Sequence, residues 1–275
     1  KNTIQSYRSD LKKFEVFLLK TNVKELKYIN PEIVREFLYE QSKKVTGKTQ
    51  GRIISTLRSF YNFLVLEKIA ENNPIEDIDY PKIDSKVPFV LSTNEIDKII
   101  LQASLTKFGA RNQTMIEVMY SCGLRVSEVI EMKISNIFFD ESLIKVVGKG
   151  KKERFVPLSG IAKKLLCNYI ECERKESKFD KQSVDIVFLN NRGGKLSRIM
   201  LYNIINDAAL AAEINSKISP HTLRHSFATH LIENGADIIS IQKMMGHENI
   251  VTTEKYLNVN KKHLVETVIK YHPRK

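Results

Sequence analysis

Cysteine is scarce in this chain, and nothing pairs what there is. Cys122, Cys167 and Cys172 are odd in number and lack the spacings of a zinc site or a disulfide framework. They read as reduced core or surface thiols. No apolar run approaches the roughly 20 residues of a membrane span, and no signal-peptide pattern opens the chain, so no membrane partner is expected and the location is expected to be cytoplasmic. Internal repeats and low-complexity tracts are missing too, which sets aside solenoids and disordered tails. No group of Asp and Glu has the spacing of metal ligands, so the expected cofactor and metal content is none. Residue 1 is Lys rather than Met and the chain enters a helical pattern at once, so further residues are expected upstream.

Acidic charge is in deficit. Asp and Glu number 32 against 44 Lys and Arg, a formal charge of +12 that favours a polyanionic partner. With 275 residues, 42% of them hydrophobic, the chain can form two domains that each bury a core.

The periodicity supports that division. Tyr7, Leu11, Phe14, Phe17 and Leu18 recur every three or four residues, as one buried helix face does. Asn30 as N-cap and Pro31 at the first position open a second helix, with Ile33, Val34, Phe37 and Leu38 inward. A third helix is expected from about Thr49 to Leu66, burying Ile53, Leu57, Phe60, Tyr61 and Leu64. Asn72, Asn73, Pro74, Pro81 and Pro88 then interrupt the pattern. A helical first domain over 1–80, a linker over 81–92 and a second domain from 93 are the expected units. The second domain opens on a capping box, Ser92 with Glu95. Leu143–Val147 and Arg154–Leu158 flank Gly148-Lys149-Gly150-Lys151-Lys152 and read as an antiparallel hairpin with a basic turn, and Ile186–Leu189 reads as a third strand. From Leu201 the pattern is helical, with Gly235 and Gly246 as stops. The fold class is mainly α with a small antiparallel β-sheet (α+β) in the second domain.

Four separated pieces carry chemistry: Gly123-Leu124-Arg125-Val126-Ser127-Glu128, the hairpin with Lys149, His221-Thr222-Leu223-Arg224-His225, and Gly246-His247 with Tyr256 nine residues on. In that order they resemble the tyrosine recombinase and integrase family, its Xer-like branch. Arg58-Ser59-Phe60-Tyr61 and Asn73-Pro74 extend the likeness to the family's N-terminal core-binding, SAM-like domain. The resemblance implies a two-domain, C-shaped clamp around DNA, a catalytic domain over 93–260, and a tail helix over 261–275 that docks on a neighbouring protomer.

The residues taken by themselves agree. Guanidiniums present a planar fork to phosphate oxygens, so Arg125 and Arg224 are candidates to grip both non-bridging oxygens of one phosphodiester and to stabilise the charge that builds there at five-coordinate phosphorus. His221 and Arg224, three apart, share a helix face. His221 is the candidate proton acceptor, since a free imidazole ordinarily titrates at about 6.5 while a tyrosine hydroxyl, ordinarily at about 10, needs help to ionise. His247 is a further phosphate donor, Lys149 the candidate general acid for the leaving 5′-oxygen, and Glu128 a partner that orients Arg125. Tyr256 is the candidate nucleophile, giving a 3′-phosphotyrosine and a free 5′-hydroxyl that conserve the phosphodiester energy without ATP.

Taken singly, each piece has a duller reading: an exposed polar helix face for His221 and Arg224, a solvated turn for the lysines, a salt bridge for Arg125, a cap for His247, a core residue for Tyr256. It is the conjunction that demands one ligand. Thr49, Gln50, Arg52, Ser55 and Ser59 form a polar helix face, and Lys151 and Lys152 a basic turn, suited to phosphates or base edges. The expected partners are a double-stranded recombination site, further copies of this chain or a related recombinase as a tetramer on synapsed DNA, a dimer or monomer when free, and an activating DNA translocase. The expected location sharpens to the nucleoid. Leu264, Val265, Val268 and Ile269 share one face of the tail. Chromosome dimer resolution is the expected role; a mobile-element integrase or excisionase, a topoisomerase-like relaxing enzyme and a non-cleaving binder on the same scaffold are the alternatives.

Overall fold

The computed structural model describes residues 2–23, 25–82, 89–148, 152–176, 180–246 and 260–274. They fall into two compact units, one ending at Val87 and the other beginning at Pro88. The stretch 83–88 lies outside the described residues, while Ile75 and Ile78 belong to the first core and Leu91 to the second.

The first unit is a helical bundle of α1 (Asn2–Lys20), α2 (Pro31–Ser42) and α3 (Gly47–Leu66). Asn30 caps α2 by accepting the Ile33 N–H at 3.0 Å, with Pro31 in the first turn. Thr46 caps α3, so this helix begins two residues before the expected Thr49. Phe14, Phe17 and Phe37 meet at ring-centroid distances of 5.0 and 5.4 Å, and Leu38, Ile53, Leu57, Tyr61 and Leu64 complete the core. Phe60 is only half-buried, packed against the Tyr61 ring edge.

The second unit is built around a helix buried on all sides. In α5 (Gly109–Ser121), Met115, Ile116, Val118, Met119 and Tyr120 are buried, and so are the polar Asn112, Thr114, Glu117 and Ser121. Around it lie α4 (Thr93–Ser104), opened by the Ser92–Glu95 capping box, then α7 (Gly160–Tyr169) and α9 (Pro220–Glu233). The short α6 (Val126–Ile130) follows α5, and α8 (Arg198–Ala211) and α10 (Ile238–Met245) are the other described α-helices before the tail.

The sheet is three-stranded and antiparallel in the order β1 (Ile137–Phe138), β2 (Leu143–Val147), β3 (Glu153–Pro157), with Ile144 opposite Val156. Its third strand is therefore Ile137–Phe138 and not Ile186–Leu189. The latter segment is buried but makes only single bridges to Lys133 and Lys195. Side chains take two of its carbonyls, Arg174 donating to Ile186 O at 2.9 Å and Arg111 to Leu189 O at 2.8 Å, while the Val187 N–H donates to Met132 O at 2.9 Å. A buried segment satisfied in this way needs no neighbouring strand.

The tail helix α11 (Asn260–Tyr271) packs on its own unit through Leu264 and Val268. His272 beyond it is fully buried, 5.0 Å from the Tyr120 ring, and Asn234 donates to Tyr271 O at 2.7 Å. No described helix is long and apolar enough to cross a membrane.

Candidate active site

The site starts from a glycine. Gly123, just after α5, has φ +57°, and a Cβ there would lie 2.4 Å from the Phe227 ring, so any side chain would meet both backbone strain and a clash. This tight turn brings Arg125 to the first position before α6, with its backbone N–H donating to Glu128 at 2.7 Å. Arg224 comes from α9, whose start is set by Ser219 as N-cap and Pro220 in the first turn. Leu223 and Phe227 on the same helix are buried, which holds Arg224 inward while His221, one turn earlier, is exposed.

Both guanidiniums converge on Glu128. Arg125 donates to its carboxylate at 2.9 Å, and Arg224 stands 3.9 Å away. A third arginine completes the cluster. Arg154, from β3, places both terminal nitrogens on the two Glu128 oxygens, at 2.7 and 2.8 Å, in the fork geometry that only arginine offers.

The same three side chains terminate α10. Arg154 donates to Met244 O at 2.7 Å, Arg224 to Met245 O, and Arg125 to Gly246 O at 2.9 Å. The last carbonyls of a helix have no partner within it, and they carry its negative end, so cations are favoured there. Three successive carbonyls are thus held by three arginines from three different elements. Gly246 ends the helix in the left-handed conformation, φ +63°, and a Cβ there would press on Arg154 at 3.2 to 3.3 Å.

The electrostatics follow from this geometry. Burial alone would raise the Glu128 pKa, but hydrogen bonds and attraction from Arg154, then Arg125, outweigh it and bring the carboxyl down to about 2. Arg224 goes the other way: burial, with repulsion from Arg125 and Arg154 beyond what Glu128 offsets, lowers it to about 10, so it is still charged at neutral pH. Three guanidiniums share one carboxylate, which leaves the cluster with excess positive charge. Arg125 alone keeps a substantial opening, its side chain 36% exposed against 14% for Arg154 and 7% for Arg224. Such a cluster suits an anion with several oxygens.

Of the residues singled out from the sequence, Arg125, Glu128 and Arg224 come together here, with His221 on the same helix as Arg224. Lys149, Lys151, His247 and Tyr256 lie outside the described residues. Lys152 is exposed at the hairpin end, where its carbonyl accepts the Gly148 N–H at 2.7 Å. In the first unit, Thr49, Gln50, Arg52, Ser55 and Ser59 all lie on α3. Two of them are held within that unit: Arg52 by Asp10 and Ser6 O, and Gln50 by Leu38 O. Ser55 meets Gly51 O and the Tyr80 hydroxyl, the Thr49 N–H and hydroxyl meet Thr46, and Ser59 is exposed.

Arg154 is the residue that the motif reading passed over. Its signal lies in strand alternation: it shares a face with the fully buried Val156, and an arginine on a core-facing position demands a buried anion.

Known proteins place this arrangement. The phage integrase family model matches residues 90–263, and the phage integrase N-terminal SAM-like domain matches residues 1–68. The chain is 38% identical to tyrosine recombinase XerD of Staphylococcus aureus (strain N315), covering 99% of this chain and 93% of the relative. It is 40% identical to tyrosine recombinase XerD of Staphylococcus saprophyticus subsp. saprophyticus, with the same coverage. Among solved structures, XerA recombinase matches all of this chain and 93% of its own, with a TM-score of 0.55 and 30% identity. XerH site-specific recombinase, in a post-cleavage complex with palindromic difH substrate, shares the fold with a TM-score of 0.76 over 96% of this chain and 78% of its own, at 24% identity. With both units matched along nearly their whole length, this chain belongs to the phage integrase family and is a tyrosine recombinase of the Xer-like branch.

Proposed function

We propose that the protein cuts and rejoins DNA at a specific site by way of a 3′-phosphotyrosine at Tyr256. The observation that carries this reading is the convergence of Arg125 and Arg224 on one buried carboxylate, with surplus positive charge at the residue that immediately precedes His247. In the proposed step the Tyr256 oxygen forms a bond to phosphorus while the bond to the 5′-oxygen breaks. His221 takes the phenolic proton, and Lys149 delivers one to the departing 5′-oxygen. Arg125, Arg224 and His247 hold the non-bridging oxygens, where charge rises most. A 5′-hydroxyl from a second duplex then reverses the step, and two rounds form and resolve a Holliday junction.

The carbonyls of Met245 and Gly246 use donors that the phosphate would need. DNA entry therefore exchanges these helix-end contacts for phosphate contacts. The first unit is proposed to grip the duplex through α3, with Thr49, Ser55 and Ser59 better placed than Arg52 and Gln50, whose side chains are held internally. Lys151 and Lys152 are assigned to backbone phosphate. The proposed assembly is a tetramer on two duplexes, the tail helix leaving its own unit for a neighbour as protomers join. Resolution of chromosome dimers, in the nucleoid and under a DNA translocase, is the proposed role, by likeness to the XerD relatives.

A nicked suicide duplex carrying the recombination site tests the chemistry. The short fragment between the scissile phosphate and the nick, which carries the freed 5′-hydroxyl, diffuses away after cleavage and leaves the protein trapped on the DNA. Wild-type protein is expected to form the covalent product and Tyr256→Phe none, whereas trapping by Tyr256→Phe would refute the assigned nucleophile.

A further inference from the structure

We propose that Arg154 is a positioning residue for strand cleavage, one that never touches DNA and works by holding Glu128 and the end of α10 in place. The inference rests on the cleavage reading above, and its first ground is geometric. Arg154 occupies both Glu128 oxygens at once and also donates to Met244 O, so one side chain ties β3 to α6 and to α10. Glu128 in turn aligns Arg125 through its side chain and its backbone N–H, and lies 3.9 Å from Arg224.

The second ground is the division of labour among the three arginines. Arg125 and Arg224 contact Gly246 O and Met245 O, which are next to the segment that carries His247 and Tyr256. Arg154 grips one residue earlier, inside α10. Its contacts can therefore persist when the other two turn to a phosphate, which makes it the stationary member of the cluster. With its side chain 14% exposed and its terminal nitrogens committed to the carboxylate, it is poorly placed to bind DNA itself.

Gly246 supplies the third ground. Its left-handed backbone and the close approach of the Arg154 side chain mean that this arginine forms the floor beneath the turn that ends α10. Loss of that floor would misplace groups on both sides of the phosphorus. Misplacement of about 1 Å is enough to slow a reaction on the order of 10²-fold.

The test uses the full chain, the nicked suicide duplex, and a second duplex in which a methylphosphonate replaces the scissile phosphate. Removing the charge of that phosphate removes the need for an aligned cationic pair. Arg154→Met is expected to slow covalent trapping on the order of 10²-fold while half-site binding stays at the wild-type level, with a much smaller loss on the methylphosphonate. In the Glu128→Gln background the same substitution is expected to add less than its full effect, because the two share the carboxylate and only the α10 contact is lost anew. A loss equal on both duplexes, a fully additive loss with Glu128→Gln, or a parallel loss of binding would overturn the proposal.

Should Arg154→Met fail to fold, Arg154→Lys decides. Lysine keeps the charge but cannot grip two oxygens as a fork, so slow trapping by folded Arg154→Lys supports the proposal and a wild-type rate overturns it. Wild-type and Tyr256→Phe proteins run alongside. Absence of trapping by wild type, or its presence in Tyr256→Phe, would sink the cleavage reading itself and is thereby distinguished from failure of the Arg154 role.

Discussion

Two buried glutamates in the second unit, eleven positions apart, have been driven in opposite directions. Glu128 sits at the arginine cluster with its carboxyl near 2, whereas Glu117 in α5 has been pushed up to about 7. Both are desolvated, and they differ in their partners. Glu128 receives two hydrogen bonds from Arg154 and two from Arg125. Glu117 has Arg274 at 3.5 Å, with nearby Asp97 working against it, and its Oε1 finds no hydrogen-bond partner among the described residues. Desolvation alone therefore does not set the sign of a shift; the supply of donors does. The well-supplied glutamate lies where we propose that a phosphate binds, and the poorly supplied one where the tail docks.

Breaking the better-supplied centre is expected to have the largest effect. Glu128→Gln leaves three arginines without a counter-charge, which costs on the order of 3 kcal/mol in urea unfolding and slows covalent trapping on the order of 10²-fold. The sign of the pH dependence follows from the depressed value. Against an ordinary 4.5, the stabilisation by Glu128 is complete above that pH and lost as pH falls toward about 2. Glu128→Gln is therefore expected to flatten the acid limb of the stability curve, and an unchanged limb would show that Arg154 and Arg125 do not stabilise the carboxylate.

At the other centre the tail comes next. His272 is fully buried, and burial, then repulsion from Arg274 and His230, lowers its pKa from 6.5 to about 3. A lowered histidine is bound as the neutral ring, so its contribution is full above 6.5 and lost as pH falls toward 3. His272→Leu is expected to cost about 2 kcal/mol near neutral pH, through lost packing on Tyr120 and Phe227, with a penalty that narrows in acid. Melting curves across pH would show it, and a penalty independent of pH would rule out titration of this ring.

The smallest effect sharpens the comparison by its opposite sign. Glu117 folds preferentially in its protonated form, so its contribution is full below 4.5 and lost as pH rises through about 7. Glu117→Gln is expected to leave melting unchanged in acid and to stabilise the protein by about 1 to 2 kcal/mol at mildly alkaline pH. Destabilisation there would mean that the Arg274 pairing outweighs desolvation.

Much of this architecture was legible from local pattern. The caps at Asn30 and at Ser92 with Glu95, the helix stop at Gly246 and the hairpin flanking the basic turn depend on neighbours within a few residues, and all four are present. Ile186–Leu189 is apolar enough for a strand, but two of its carbonyls are taken by Arg174 and Arg111, at distances in sequence that no periodicity carries. Ile137–Phe138 is too short to show alternation at all.

The sequence by itself determined the two-unit helical plan, the positive charge, and which side chains could serve a phosphate, because these depend on residue type, spacing and order. Only the tertiary structure decided that Arg154 shares Glu128 with Arg125 and Arg224, that three arginines hold three successive carbonyls, and that the tail buries His272 in its own unit. The physical reason is that a carboxylate's pKa, and the direction in which a guanidinium points, depend on groups brought within about 3 Å by packing, and those groups lie up to 121 positions away along the chain.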